Sequence, residues 1–271
     1  MRSTQGQKEF HFQLMALAAI LILVHASYAL VIRPQAESWS QAEAQTVEEE
    51  SVVPSTPPLV IILKDYEQEA CVILFLWALA IMGYKARLLK SHISLMDEDY
   101  VQVEEGRRIL PEDARELTRR LQSLPEPQAR ALLPRALLAA LHRFESTRNI
   151  QDVSETVTQL CMAEGERQES ELSMVRYIAW AIPSIGFIGT VRGIGLALSQ
   201  AQSAVDGDIG PVTDNLGTAF NSTLIALVLS IFLMFAVHQL QLQQERYVLD
   251  VQDDAELKLI NQLHVTRDAT A

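Results

Sequence analysis

An all-α integral membrane protein is the fold class this sequence predicts, and three observations carry the expectation. Apolar residues are gathered into four long runs, with strongly polar segments between them, instead of being spread over amphipathic faces. Basic residues are shared unevenly among those polar segments, as they are around membrane crossings. Two of the runs carry small residues and hydroxyls at helical spacing, which suits helices that pack against each other in lipid. The bulk numbers agree without deciding: 271 residues, 49% hydrophobic, 6% aromatic, a formal charge of −12 and a mean hydropathy of +0.11.

The first element is residues 1–32. Positions 14–32 hold no charged side chain, enough to cross a hydrocarbon core of about 30 Å. Arg2 and Lys8 ahead of this run, and "HASYA" within it, also fit a secretory signal removed after Ala29. The run continues through Val31 and Ile32, which favours a retained transmembrane helix.

Residues 33–69 contain "RPQAESWSQAEAQTVEEESVVPSTPP", poor in apolar residues and rich in acid, Pro and Ser, and are expected to form a mobile periplasmic linker. "LVIILKDYEQEA" then approaches the second crossing, lying along the interface. The apolar core of that crossing, residues 70–84, is short and recruits part of this approach; Lys85 and Arg87 follow at once.

Residues 85–172 are expected to be helical and cytoplasmic. Pro111 with Glu112 and Asp113 suits a helix start. Leu132, Leu133, Leu137, Leu138 and Leu141 recur at helical spacing, with Pro134 expected to bend or divide that helix. "DVSE" places Glu155 three residues after Asp152, a capping-box pattern, and no breaker follows before Pro183, so one helix is expected to run from there into the membrane. Residues 173–239 form a transmembrane hairpin and residues 240–271 a cytoplasmic tail.

Charge sets the orientation. Residues 33–69 hold two basic residues against eight acidic ones, residues 85–172 hold thirteen Lys and Arg, and residues 202–213 hold none. By the positive-inside rule the middle segment is cytoplasmic, and the loop at Asp206 faces outward. Three to four crossings follow, depending on the fate of the first segment. The chain is thereby oriented across a lipid bilayer. The acidic balance excludes a nucleic-acid partner. Cys71 and Cys161 fall on opposite sides of the membrane and cannot pair, and no metal-ligand spacing or cofactor motif is expected. His11, His25, His92, His142, His238 and His264 are scattered; His25, inside a crossing, suits either a proton relay or a contact with a neighbouring helix.

The hairpin carries the functional signal. In "AIPSIGFIGTVRGIG", the residues Ala179, Pro183, Thr190, Gly193 and Ala197 fall within about 60° of Gly186 on a helical wheel, Gly189 lying at the edge of this stripe. Gly189 and Gly193 form a GxxxG pair, and such poor helix formers are tolerated in lipid where other helices cover them. In "LGTAFNSTLIALVLS", the residues Thr218, Ala219, Ser222, Thr223, Ala226 and Ser230 share an arc of about 140°. The stripes suit close packing, or a hydroxyl-lined route for protons or small cations. Neither helix offers a carboxylate to such a route, so a titratable acid has to come from a partner.

Arg192 lies about 120° from the centre of the small stripe. An unpaired arginine deep in a bilayer costs about 2.5–3.5 kcal/mol on insertion scales. It can snorkel to the outer headgroups, or pair with Asp206, Asp208 or Asp214.

"PSIGFIGTVRGI", followed by a short loop and "AFNSTLIALV", resembles the TolQ/ExbB/MotA proton channel family. The resemblance rests on the Pro-x-x-Gly and Gly-Thr-Val-x-Gly-Ile elements and on the threonine of the following helix. It implies a TolQ/ExbB-like fold and a homo-oligomer, a pentamer-like ring. The ring encloses the helices of an ExbD/TolR/MotB-like single-span protein with a membrane aspartate. On that implication Thr190 and Thr223, with Thr218 and Ser222, line the ion pathway or partner helix. Pro183, Gly186, Gly189, Gly193, Ala197 and Ala226 serve helix packing, and Arg192 with Asp214 forms a candidate charge pair. The implied work is conversion of proton-motive force into motion of the partner, by a motor stator subunit and not an enzyme. The sequence departs from the family in three places. Thr218 stands where ExbB-type members have glutamate, Arg192 stands where they often have tryptophan, and the N-terminal apolar segment is additional to the TolQ/ExbB type. The rival expectation is a non-conducting oligomeric scaffold that uses the stripes for packing alone.

Overall fold

The computed structural model describes residues 2–49, 59–98, 100–101 and 109–264. Among them the backbone is helical almost throughout, with no strand beyond a single bridge between Ile109 and Leu263. Four helical stretches are long and apolar enough to cross a membrane: Glu9–Ala42, Tyr66–Ser94, Ile150–Ser199 and Gly210–Gln262. This is an all-α membrane protein. Its chain divides into two compact units, one from Met1–Gly83 with Met174–Val237, the other from Tyr84–Ser173 with His238–Ala271.

In the first unit, α1 (Arg2–Ser27) passes through a widened π turn (Tyr28–Ile32) into α2 (Arg33–Glu49). The wide turn, closed by a bond from the Arg33 N–H to the Tyr28 carbonyl, sits just ahead of Pro34. A proline ring crowds the turn before it and offers no N–H, so the helix relaxes there. The residues expected to be an irregular linker are therefore helical as far as Glu49. Their Ala, Glu and Gln content is good helix-forming material despite its low hydropathy. The rest of the expected linker up to Pro58 lies outside the described residues. A short α3 (Leu59–Leu63) precedes α4 (Tyr66–Ser94), which does recruit part of its approach. α1 and α4 lie antiparallel: the Trp77 Nε1–H donates to the Gln13 carbonyl at 3.0 Å, and His25 Nδ1 meets Glu69 Oε1 at 2.7 Å.

The second half of this unit is α9 (Ser173–Ser199), the short α10 (Ala201–Val205) and the first part of α11 (Gly210–Lys258). The faces turned away from the neighbouring helices are large and apolar. Trp180 is 70% exposed, and Phe187, Ile188, Phe220, Ile231 and Phe235 are exposed as well. Small and polar residues face inward instead: Gly186, Gly189, Gly193, Ala197, Ala219, Ser222 and Ala226 are all buried. That inversion is stable in lipid and costly in water.

The second unit is built on the opposite principle. α5 (Pro111–Gln122) and α7 (Leu132–Thr147) pack together, and α7 packs on α8 (Ile150–Glu171). Leu133, Leu137, Leu141 and Phe144 of α7 are buried, with Leu117 and Leu121 of α5 and Val153 and Val157 of α8. The Leu132 N–H donates to the Tyr247 hydroxyl at 3.3 Å, tying α11 into this core. α5 starts as expected, with Pro111 in its first turn and the Leu110 N–H donating to the Asp113 carboxylate at 3.1 Å. Three expectations are corrected. Pro134 neither bends nor divides a helix; it sits in the first turn of α7, where a missing N–H is harmless, and the break falls between α6 (Glu126–Ala129) and α7. α8 starts at Ile150, not Asp152, because Asn149 is the cap and accepts from the Gln151 N–H at 3.0 Å. The helix entering the first unit is interrupted at Leu172, whose N–H turns back to Glu169 and Ser170 in a tightened turn.

Candidate functional site

The site is the seam between α9 and α11. Its closeness is set by three glycines. A Cβ on Gly186 would overlap the Ala226 methyl, one on Gly189 would lie 2.6 Å from the Ser222 Cβ, and one on Gly193 2.7 Å from the Ala219 Cβ. Contacts that short exclude any side chain, so the seam is held by direct backbone approach. Pro183 lies inside α9 without ending it. Its ring leaves the Ala179 carbonyl without the usual intrahelical donor, and Ser230 of α11 supplies one: its hydroxyl donates to that oxygen at 3.0 Å. The proline is thus compensated across the seam, and Ser230 ties the two helices together.

Thr190 and Thr223 face one another, and their hydroxyls are directly hydrogen-bonded. The Thr190 hydroxyl is also within reach of the Ala219 carbonyl at 3.1 Å and the Gly186 carbonyl at 3.3 Å; that of Thr223 reaches the Gly186 carbonyl at 3.1 Å. One residue along, the buried Ser222 hydroxyl donates to the Thr218 carbonyl at 2.9 Å and accepts from the Gln68 side chain. The result is a compact oxygen cluster in an otherwise apolar pair of helices. It holds hydroxyls and carbonyls that can accept and pass hydrogen bonds, and no carboxylate from either helix.

Residues 128–253 match the MotA/TolQ/ExbB proton channel family. Over that stretch the chain is similar to this family. No curated protein and no solved structure matches the chain. The match takes in α7 to α10 and most of α11, and leaves α1 to α5 outside.

Within the family region the structure brings together Thr190, Thr223 and Ser222, with Thr218 entering through its carbonyl. It also gathers Gly186, Gly189, Gly193 and Ala226 in the seam, and Ala197 is buried. It does not bring Arg192 to Asp214. The Arg192 guanidinium instead forks onto Glu67 of α4, Nε to Oε1 at 2.7 Å and a terminal nitrogen to Oε2 at 2.8 Å, with Asp65 at 3.9 Å. The reason is position on the helix. Arg192 lies off the seam, on the side where the start of α4 approaches, whereas Asp214 belongs to the first turns of α11.

Sequence reasoning therefore found α4 as a crossing but missed the contacts it makes with the site. Glu67 takes Arg192, the buried Gln68 takes Ser222, and Glu69 takes both His25 and Arg33. His25 meets Glu69 of α4 at 2.7 Å, a contact with a neighbouring helix. A signal for this was present in "YEQE": three consecutive polar residues project about 100° apart, so a membrane helix cannot turn all of them to water. Burial pushes the Asp65 carboxyl above the usual carboxylate range, the charges of Lys64 and Arg192 acting against it.

Proposed function

We propose that this chain is an inner-membrane subunit of a proton-motive-force-driven motor complex in a bacterial cytoplasmic membrane. In this reading several copies form a ring around the transmembrane helices of an ExbD/TolR/MotB-like partner and couple proton flow to that partner's motion, without enzymatic chemistry. The observation that carries the reading is the bonded Thr190–Thr223 pair within the family-matched hairpin. A charge in lipid is expensive, so a proton-carrying acid on the partner needs oxygen atoms beside it when it ionises. Hydroxyls suit this because each can donate and accept, re-pairing as the proton arrives and leaves. The uneven basic residues put the unit containing α5 to α8 in the cytoplasm and the α10 turn outside.

One observation favours the scaffold reading as an alternative: each threonine hydroxyl is already within reach of a backbone carbonyl, as in helix packing without transport. Valine keeps the threonine shape and removes the hydroxyl. Thr190→Val and Thr223→Val should each lower proton-motive-force-dependent activity about tenfold, the scale of one lost hydrogen bond. Cells expressing the chain with its partner provide the measurement, and complex size on a native gel should be unchanged. Full activity in both variants removes these threonines from the ion path, and absence of any proton-motive-force-dependent activity in the unaltered chain with its partner leaves the scaffold.

A further inference from the structure

Polar side chains from three helices meet beside the seam, and those of α4 lie outside the family match. Gln68, in the first turn of α4, is 0% exposed. Its amide nitrogen donates to the Ser222 hydroxyl at 3.3 Å, and its side chain is also a hydrogen-bonding neighbour of the Asp65 carboxyl. Its carbonyl oxygen Oε1 is buried and has no hydrogen-bond donor among the described residues. Buried acceptors are almost always paired, so this atom marks a place where a donor binds.

The surroundings say what kind of donor. α9 comes close to this junction because Gly189 has no side chain: a Cβ there would lie 2.6 Å from the Ser222 Cβ and 3.2 Å from the Glu67 Cγ. The charged groups nearby are Lys64, Asp65 and Glu67 on the α4 side and Arg192 on α9. Arg192 is committed to both oxygens of Glu67, a forked geometry that cancels the two charges locally. The acceptors around Gln68 are its own unpaired Oε1, the Ser222 oxygen, which already takes the Gln68 amide, and the Asp65 carboxylate. Ser222 in turn adjoins Thr223 and so the Thr190 pair.

We propose that Gln68 and Ser222, with Asp65 at the aqueous end, form the entry of the ion path, a hydrogen-bonding site for a hydrated proton on its way to Thr190 and Thr223. A hydronium ion is purely a donor, and Gln68 Oε1 is a buried acceptor with no donor among the described residues. Entry changes no covalent bond of the protein: the proton stays on water and is passed by hydrogen bonding. The proposal rests on the proton-conducting reading above, and supplies the outward half of a route whose family-matched part has no buried acid.

The test is proton entry into cells expressing the full chain with its partner, followed by a cytoplasmic pH-sensitive fluorescent reporter after an external acid pulse. Gln68→Leu and Ser222→Ala should each slow entry about tenfold, the scale of one lost hydrogen bond, with complex size unchanged. Gln68→Glu, which keeps acceptor oxygens at the same reach, should retain most of the rate. Wild-type entry in Gln68→Leu and Ser222→Ala, with entry slowed in Thr190→Val, overturns the entry site and leaves the conducting hairpin standing. Wild-type entry in the threonine variants as well overturns both. Should Gln68→Leu fail to assemble, Ser222→Ala, which removes only one hydroxyl oxygen, decides the matter by the same comparison.

Discussion

The two units bury their helices with opposite kinds of side chain. On α7 the buried face is Leu133, Leu137, Leu141 and Phe144; on α9 it begins with Val175, Ile178 and Ile182 and continues as Gly186, Gly189, Gly193 and Ala197, while Trp180 and Phe187 point out. Both are well-packed helix faces, so the difference lies in the solvent. In water, removing large apolar surface is itself the driving force. In lipid a leucine gains little by moving from acyl chains to a helix neighbour, and association depends on how closely backbones approach and on interhelical hydrogen bonds. The small residues of the seam and the leucines of α7 solve one problem in two media.

That comparison breaks most visibly at Gly186. Gly186→Leu should abolish the assembled complex, because a side chain there overlaps Ala226 and approaches the Ser222 carbonyl to 3.1 Å already at Cβ. Gly195, on the same helix, has nothing within 4 Å of the corresponding position. Gly195→Ala should be tolerated and should stabilise slightly, by about 0.4–1 kcal/mol, through the unfolded chain. Detergent-solubilised complex size and thermal midpoint check both. Equal tolerance at the two glycines would show that close approach is not what holds the seam.

Leu137→Ala tests the other medium. Leu137 is buried at the centre of α7, and truncation should cost about 2–5 kcal/mol through lost transfer and an incompletely collapsed cavity. A lowered thermal midpoint of the full chain is the expected readout. An effect below about 1 kcal/mol would mean that α7 behaves like a lipid-packed helix, contrary to the cavity cost usual in water.

Much of this contrast was legible in the sequence, because periodicity reports which face a helix buries. The four crossings, the leucines of α7 and the glycine stripe follow from spacing along one or two adjacent helices, whereas Thr190 and Thr223 were linked only through the family resemblance. What escaped depends on contacts between segments far apart in the chain. Arg192 and Glu67 are 125 residues apart and Gln68 and Ser222 are 154 apart, and no local pattern records which helix fills the third side of a hairpin. Small boundary errors had a different origin. At Asn149 the true cap lay three residues before the more conspicuous Asp152, and at Leu172 a tightened turn used no proline or glycine.

The smallest expected effect concerns the charge pair that the sequence assigned to the wrong partner. Glu67 and Arg192 are not equally buried: the Glu67 side chain is 12% exposed, that of Arg192 42%. Removing either leaves the other alone, but not at equal cost. A stranded Arg192 can swing its long stem outward and solvate its head. A stranded Glu67 is short, more enclosed and left with an uncompensated carboxylate. Arg192→Gln should therefore lower stability by about 1 kcal/mol, at the upper end for half-exposed pairs, and Glu67→Gln by less. Thermal midpoints of the two variants, measured in the same detergent, give the order directly. The reverse order would place the free arginine in lipid without a route to water, so that α4 rather than the headgroup layer would be what makes Arg192 tolerable.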